Sequence, residues 1–296
     1  MGSPALEILA PAKINLYLGV REGKDEMGYH QASSLMVAVD LFDTVRMEPA
    51  DTLSVRCIPA VDAPERSNAA WKAAMALGEA VGREPQVSIT IEKRIPYKSG
   101  LGGASSDAAA VLLGLCKLWG IDAGDPRVGD AARSVGADIA FFLTGTPTLL
   151  EGRGDVPTET FDEVPGFPVV LVRPSGDGIS TGESYADFDR DPIPAAPLDP
   201  LREALHAGDV MGICKHVSNN LEPVALRLMP ILQDIHDWLD SQPGVLATMV
   251  TGSGSCTFAI CETTEAARRV ARDSLYGRGW WGRAAHIITE GTRISE

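Results

Sequence analysis

The chain lacks the features that mark disulfide-rich, membrane-spanning and nucleic-acid-binding proteins. Its five cysteines are scattered and form no C-x-x-C pair, which favours reduced thiols over a disulfide or zinc framework. No N-terminal segment has the basic start and apolar run expected of a signal peptide, and no uncharged apolar run approaches the ~20 residues that span a bilayer. The 26 basic residues are outnumbered by 40 acidic ones, and the net charge of −14 argues against nucleic-acid or anionic-membrane binding. These absences predict a cytoplasmic protein whose partners are small molecules.

The size of the chain and the order of its patterns favour two domains. At 296 residues the chain is long for one core. Strand and helix patterns interleave without a regular βαβ rhythm, which predicts an α+β fold. Residues 151–166 are rich in glycine, proline and acidic side chains, so we expect a boundary there, between domains at 1–160 and 161–296.

The spacing of apolar residues predicts the individual elements. Alternation predicts strands at 6–20, 33–48, 87–91 and 167–172, and two strand-like runs within 248–261. Helical spacing predicts a helix at 67–82 with Ser67 as its N-cap, a helix that follows the glycine-rich residues 100–103 and runs to about Trp119, and a helix that begins after Asp125. Further helices are predicted at 200–207, 222–240 and 263–276. Residues 186–200, rich in proline and aspartate, are predicted to form a loop or linker.

The most informative segment is a glycine- and serine-rich loop at residues 96–107 that runs directly into an apolar helix. It is not a Walker A loop, since no Gly-Lys-Ser/Thr sequence occurs in the chain. Glycines let the backbone approach a ligand closely, and a helix that begins there directs unpaired N–H groups and its positive dipole end at the loop. This combination predicts a phosphate site; the alternative is a surface turn capped by one of its serines. The residues predicted to hold phosphates are Gly100, Leu101, Gly102, Gly103, Ser105 and Ser106.

Three further segments accompany this loop in a set order. They are P-A-K-I-N-L at 11–16 with G-Y-H at 28–30, then G-A-D-I-A-F-F at 136–142, and T-G-S-G-S-C at 251–256. Together with the loop, their order and spacing over the whole chain resemble the GHMP small-molecule kinases. The first two segments are similar to those of the member that phosphorylates a cytidine-diphosphate sugar alcohol in non-mevalonate isoprenoid synthesis. The resemblance implies a ribosomal-protein-S5-like N-terminal domain and a ferredoxin-like C-terminal domain, with ATP, Mg²⁺ and the alcohol in the cleft between them.

The resemblance also implies catalytic roles for Asp138 and Lys13. Asp138 would be the base for a tertiary hydroxyl of the substrate, and Lys13 a cation shared between Asp138 and the transferring phosphoryl group. Phosphoryl transfer depends mostly on positioning and charge stabilisation, and an ammonium beside Asp138 would keep it ionised. From local sequence alone, Asp138 is better explained as a helix N-cap. Lys13 would then be a surface lysine, although its apolar neighbours favour a crowded location.

The remaining implied contacts concern the alcohol substrate, the adenine and the metal. Asn68 would lie near the adenine or act as an N-cap, and Ser106 or Asp107 could reach the metal. In the loop, Lys98 departs from the family pattern and could add a phosphate contact, while Ala104 replaces a glycine. The residues implied to contact the alcohol substrate are Asn15, Tyr29, His30, Tyr185, Gly252 and Ser253.

Several of these substrate residues also have a structural explanation, which for Gly252 and Ser253 is a hairpin turn. Asn15 shares a strand face with Lys13 and could hold either the substrate or that lysine. Tyr29 and His30 could stack on and hydrogen-bond a cytosine, or could be a packed loop aromatic and a solvated histidine. Two other functions remain open, a homoserine or mevalonate kinase of the same fold and a nucleotide-binding protein without catalysis. We expect a monomer or a weak homodimer.

Overall fold

The structure is a computed structural model that describes residues 5–61, 64–162, 164–176 and 178–295. Its strands are β1 (Leu6–Val20), β2 (Ala32–Pro49), β3 (Ser54–Ile58), β4 (Val87–Glu92), β5 (Thr148–Glu151), β6 (Val156–Thr160), β7 (Pro168–Arg173), β8 (Ser218–Asn219), β9 (Val245–Val250), β10 (Thr257–Cys261), β11 (Trp281–Ile288) and β12 (Arg293–Ile294). Its helices are α1 (Ala69–Val81), α2 (Gly103–Trp119), α3 (Pro126–Val135), α4 (Ile139–Thr144), α5 (Thr181–Phe188), α6 (Asp199–His206), α7 (Val210–His216), α8 (Glu222–Leu228), α9 (Ile231–Asp240) and α10 (Thr264–Arg278), with a 3₁₀ turn at Glu65–Ser67. The α+β class predicted from the sequence is confirmed.

The long antiparallel pair of β1 and β2 organises the N-terminal half. Its pairing register shifts between Pro11 and Ala12, where Asp40 and Leu41 of β2 are passed over, and again after Asn15, and such irregularities redirect side chains. Before the first shift, the apolar side chains of β1 lie in the core that α2 covers; after it, the alternate positions from Ala12 to Leu16 enter a second core. Lys13 therefore lies on the face where α2 begins, and its N–H donates to the Leu101 carbonyl at 2.9 Å.

The C-terminal half continues the same sheet. The strands run in the order β12-β1-β2-β11-β7-β10-β9, with β11 joining β2 to β7. Helices α9 and α10 cover one face of β7, β9 and β10 with a third apolar core. The chain crosses from β6 to β7 near residue 160, and β12 returns to pair with β1. The division into domains at 1–160 and 161–296 stays a prediction.

Most predicted elements are present, with three differences. The N-cap of α1 is Asn68, whose Oδ1 accepts from the Ala70 N–H, so Ser67 was the wrong cap. The predicted helix at 222–240 is broken before Pro230, since a proline ring disrupts a helix interior. The loop predicted at 186–200 begins later, because α5 extends to Phe188 behind a Ser180–Glu183 capping box.

No helix among the described residues combines the length and the apolar character needed to cross a bilayer. The predicted cytoplasmic location and the predicted oligomeric state stay predictions.

Candidate active site

The glycine loop connects β4 to α2 and leaves the start of that helix uncapped. Gly102 occupies the N-cap position with φ 74°, and no side chain caps the helix. The alternative of a serine-capped surface turn is therefore wrong. The uncapped N–H groups of the first turn point toward the loop with the positive end of the helix dipole. This start of α2 is suited to bind an anionic group.

Two glycines are required in the loop by the closeness of other atoms. A Cβ on Gly100, where φ is +78°, would overlap the Thr251 carbonyl oxygen in the second glycine turn. A Cβ on Gly102 would lie 2.7 Å from the Phe142 ring and 2.9 Å from Cγ of Lys13. The loop backbone therefore touches both the C-terminal half and the predicted catalytic lysine.

Lys13 and Asp138 lie together, as the resemblance implied. Lys13 Nζ is 3.8 Å from Asp138 Oδ2, and the lysine is almost fully buried whereas the aspartate side chain is 33% exposed. Burial lowers the pKa of Lys13, and the charge of Asp138 partly opposes this shift. Asp138 stands at the N-cap position of α4, but its side chain makes no capping hydrogen bond. The carboxylate is thus free to face a ligand.

Asn15 positions Lys13 and connects it to the second glycine turn. Its Oδ1 accepts from Lys13 Nζ at 2.5 Å and from the Thr251 hydroxyl at 3.2 Å, and its Nδ2 donates to the Ser34 hydroxyl at 2.8 Å. The Asn15 N–H also donates to the Thr251 hydroxyl at 3.0 Å. This network fixes the ammonium between the strand that carries it and the Asp138 carboxylate.

These residues surround a cavity of about 310 Å³, the central cavity, which Lys13, Asp138 and the glycine loop line together. Lys98 and Arg153 bring further positive charge to its wall. Such a wall suits a polyanionic ligand despite the net negative charge of the chain. The predicted site residues that line it are Lys13, Asn15, Gly100, Gly102, Gly103, Ser105, Asp138, Tyr185, Gly252 and Ser253.

A second cavity of about 560 Å³, the aromatic cavity, adjoins the first and is lined by Tyr29, His30 and Tyr185. The His30 and Tyr185 rings are 5.2 Å apart between centroids. His30 is buried, and its Nε2 lies 2.9 Å from the Asp189 carboxylate, so it is not the solvated histidine of the simpler interpretation. Burial, with a smaller contribution from Asp138, raises the pKa of Tyr185 to about 12, so the phenol stays neutral and able to donate a hydrogen bond.

Three predicted nucleotide residues lie outside both linings. Leu101 and Ser106 are fully buried, and Leu101 contributes its carbonyl to the Lys13 N–H. Asn68 caps α1 and donates to Cys57 Sγ at 3.5 Å. Its proposed place beside the adenine stays a prediction.

Sequence reasoning missed a buried ionic cluster behind the loop. Lys93 donates to Asp107 Oδ2 at 2.6 Å and also to Asp43, whose other oxygen accepts from the Arg94 and Ile95 N–H groups. Burial raises the pKa of Asp107 to about 7, Lys93 opposes the shift and Asp43 adds to it. One ammonium thus serves two carboxylates, and one of them, Asp107, keeps its proton to a higher pH than an ordinary aspartate.

Asp107→Asn should therefore change how stability depends on pH. The pKa of Asp107 is raised in the folded protein, so its stabilising contribution is present below pH 4 and is lost as the pH rises toward 7. Because an asparagine does not ionise, the stability of the variant relative to wild type should rise between pH 4 and pH 8 by on the order of 2–4 kcal/mol. Urea unfolding at a series of pH values measures this difference. As a control, Asp43→Asn removes a charged acceptor of backbone N–H groups and should destabilise the protein at every pH. If the stabilities of Asp107→Asn and wild type change with pH in parallel, the prediction is wrong.

Arg153 was missed because it lies in the segment interpreted as a domain boundary. It occupies the turn between β5 and β6, flanked by Gly152 and Gly154 with φ values of 73° and 78°. A charged residue between two glycines was the available signal. The structure places its side chain on the walls of both cavities.

Comparisons with known proteins agree with this arrangement. Family models described as "GHMP kinases N terminal domain" and "GHMP kinases C terminal" match residues 68–146 and 201–273. The chain is 37% identical to a 4-diphosphocytidyl-2-C-methyl-D-erythritol kinase of Citrifermentans bemidjiense, over 96% of this chain and 99% of that protein. It is 36% identical to the kinase of the same name from Nocardia farcinica, over 94% and 91% of the two chains.

Solved structures show the same relationship. A crystal structure of 4-(cytidine 5'-diphospho)-2C-methyl-D-erythritol kinase matches with a TM-score of 0.76 and 34% identity, over 95% of this chain and 98% of that one. The homoserine kinase of Cytophaga hutchinsonii matches with a TM-score of 0.78 but only 18% identity, over 99% and 98% of the chains. The second likeness shows the fold alone.

Proposed function

Because the chain belongs to the GHMP kinases, and within them to the family of the 4-diphosphocytidyl-2-C-methyl-D-erythritol kinases, we propose that it phosphorylates that cytidine-diphosphate sugar alcohol. The γ-phosphoryl group of ATP passes to the tertiary 2-hydroxyl, which gives the 2-phosphate and ADP in non-mevalonate isoprenoid precursor biosynthesis. The observation that carries the proposal is the near-full-length relationship, together with a Lys13–Asp138 pair in a cavity lined by a glycine loop.

The glycine loop would hold the triphosphate of ATP. The uncapped N–H groups at the start of α2 donate to phosphate oxygens, and Gly100 and Gly102 allow the backbone to approach them. Lys98, on the rim of the same cavity, adds a positive charge. These contacts direct the γ-phosphate toward Lys13 and Asp138.

Lys13 and Asp138 would carry the transfer step. Asp138 accepts a hydrogen bond from the substrate hydroxyl, orients it, and takes its proton as the new oxygen–phosphorus bond forms. The bond between the γ-phosphorus and the bridging oxygen breaks, and ADP leaves with the electron pair of that bond. Lys13, 3.8 Å from Asp138, stabilises the negative charge on the transferring group and keeps Asp138 ionised.

The aromatic cavity would hold the cytosine. Tyr29 and Tyr185 offer rings for stacking, and His30, fixed by Asp189, can bond the edge of the base. A homoserine or mevalonate substrate has no base to occupy these residues, which favours the cytidine substrate among GHMP kinases.

Mg²⁺ would accompany ATP and neutralise charge as the bridging bond breaks. The described residues contain no cluster of three His, Cys, Asp or Glu side chains that could hold a metal by themselves. This fits an ion bound largely through phosphate oxygens and water. The Ser106 hydroxyl and Asp107 Oδ1, both buried behind the glycine loop, have no hydrogen-bond partner, so both stay candidates for its protein ligand.

ADP release with a panel of acceptors tests the proposal. With Mg²⁺ and ATP, we expect turnover with 4-diphosphocytidyl-2-C-methyl-D-erythritol and none with CDP, homoserine or mevalonate. Turnover with homoserine or mevalonate instead would assign the chain to another branch of the GHMP kinases. Binding of ATP without turnover of any acceptor would favour a nucleotide-binding protein.

A further inference from the structure

One charged side chain lies where the two cavities meet. Arg153, Thr181 and Tyr185 line both the central and the aromatic cavity, and of these shared residues only Arg153 is charged. Its side chain is 29% exposed, so it is neither buried in a core nor free in solvent.

The guanidinium of Arg153 is held along one edge. Its carbon lies 4.2 Å from the centre of the Tyr29 ring, and Nε lies 3.2 Å from Asp25 Oδ2, to which it donates a hydrogen bond. The other oxygen of Asp25 accepts the N–H groups of Met27 and Tyr29, which fixes the loop that carries the ring. Among the described residues, neither Nη atom has a hydrogen-bond acceptor. The outer edge of the guanidinium is therefore available to a ligand.

Most other basic side chains that line the two cavities lie against carboxylates, whereas Lys98, in the glycine loop, has no ion pair among the described residues. In the aromatic cavity, Lys24 and His30 both lie against the Asp189 carboxylate, at 2.6 and 2.9 Å. In the central cavity, Lys13 is paired with Asp138. Arg153 donates to the Asp25 carboxylate through Nε alone, and its two Nη atoms can offer parallel hydrogen bonds to phosphate oxygens.

Under the proposed function, on which this inference rests, the substrate carries a diphosphate between its cytosine and its alcohol. With the base beside Tyr29 and the alcohol beside Asp138, the diphosphate must cross the seam between the cavities. We propose that Arg153 binds this diphosphate and thereby determines the preference for a nucleoside diphosphate over the nucleoside.

Binding of cytidine and of CDP to Arg153→Met and Arg153→Lys tests the role. Loss of a charge-assisted contact should weaken CDP binding by at least about tenfold in Arg153→Met while cytidine changes by less than about threefold. Arg153→Lys, which keeps the charge but not the planar edge, should lie between wild type and Arg153→Met. In turnover assays, the KM for the cytidine substrate should rise in Arg153→Met while the KM for ATP and kcat stay close to wild type.

Tyr185→Ala is the matched control, since loss of a base contact should weaken cytidine and CDP by the same factor. If Arg153→Met also weakens both ligands equally, Arg153 acts only by supporting Tyr29, and the inference is wrong. Unchanged CDP binding in Arg153→Met would overturn it as well. These results are distinct from failure of the proposed function, in which the wild-type protein neither binds CDP nor turns over the cytidine substrate.

Discussion

Asp138→Ala should lower kcat by about 10²-fold or more and leave ATP binding almost unchanged. In the proposed mechanism this carboxylate orients the hydroxyl and receives its proton, whereas the glycine loop proposed to hold the nucleotide does not depend on it. The Asp138 side chain caps no helix and is one-third exposed, so its loss should not unfold the protein. Steady-state kinetics and calorimetric titration with ATP measure the two effects separately.

Two further variants make this test specific. Asp273→Ala removes an exposed aspartate from α10 and should leave kcat unchanged. Lys13→Met should lower kcat as strongly as Asp138→Ala but should not lower the melting temperature. Burial lowers the pKa of Lys13, so burial of its charge opposes folding, and a methionine avoids this cost. Full turnover in Asp138→Ala would remove this carboxylate from the mechanism.

Gly100→Ala should destabilise the protein by about 2–5 kcal/mol, because a strained φ and a steric overlap act together. The new Cβ would meet the Thr251 carbonyl, which is backbone and cannot turn aside as a side chain can. The loop is held against this turn by a hydrogen bond of 3.0 Å from the Cys256 N–H to the Ser99 carbonyl. Urea unfolding measures the loss, and ATP binding should weaken with it.

Gly120→Ala separates the two causes. Gly120 has a similar φ of 67° at the end of α2, but nothing lies within 4 Å of an added Cβ. Only the backbone strain remains there, and a loss of about 1–2 kcal/mol is expected. Equal losses in the two variants would show that the loop and the turn of the C-terminal half do not press on each other in solution.

The glycine loop and the helix that follows it could be predicted because their physics is local. Residues 96–107 hold both the glycines and the helix start, and the structure places them as expected, with α2 beginning at Gly103. The pairing of Lys13 with Asp138 is not local, since these residues are far apart in the chain. Only the resemblance to a known family connected them, and the structure now places them 3.8 Å apart.

The features that were missed depend on side chains meeting across elements. Lys93 follows a strand and Asp107 lies within a helix, and neither position alone indicates that Asp43 completes the cluster. Arg153 was hidden by a composition that is typical of linkers. Local rules also chose Ser67 over Asn68 as a helix cap, although both residue types are good caps and only the course of the chain decides between them.

The return of β12 to β1, and the insertion of β11 between β2 and β7, have a consequence for synthesis on the ribosome. The N-terminal strands acquire these neighbours from residues 281–294, which follow them much later in the sequence. Contacts of such high sequence separation form late and slow the folding reaction. Until these residues have left the ribosome, the nascent chain exposes a partly unpaired sheet. During this part of synthesis the polypeptide most needs protection from aggregation.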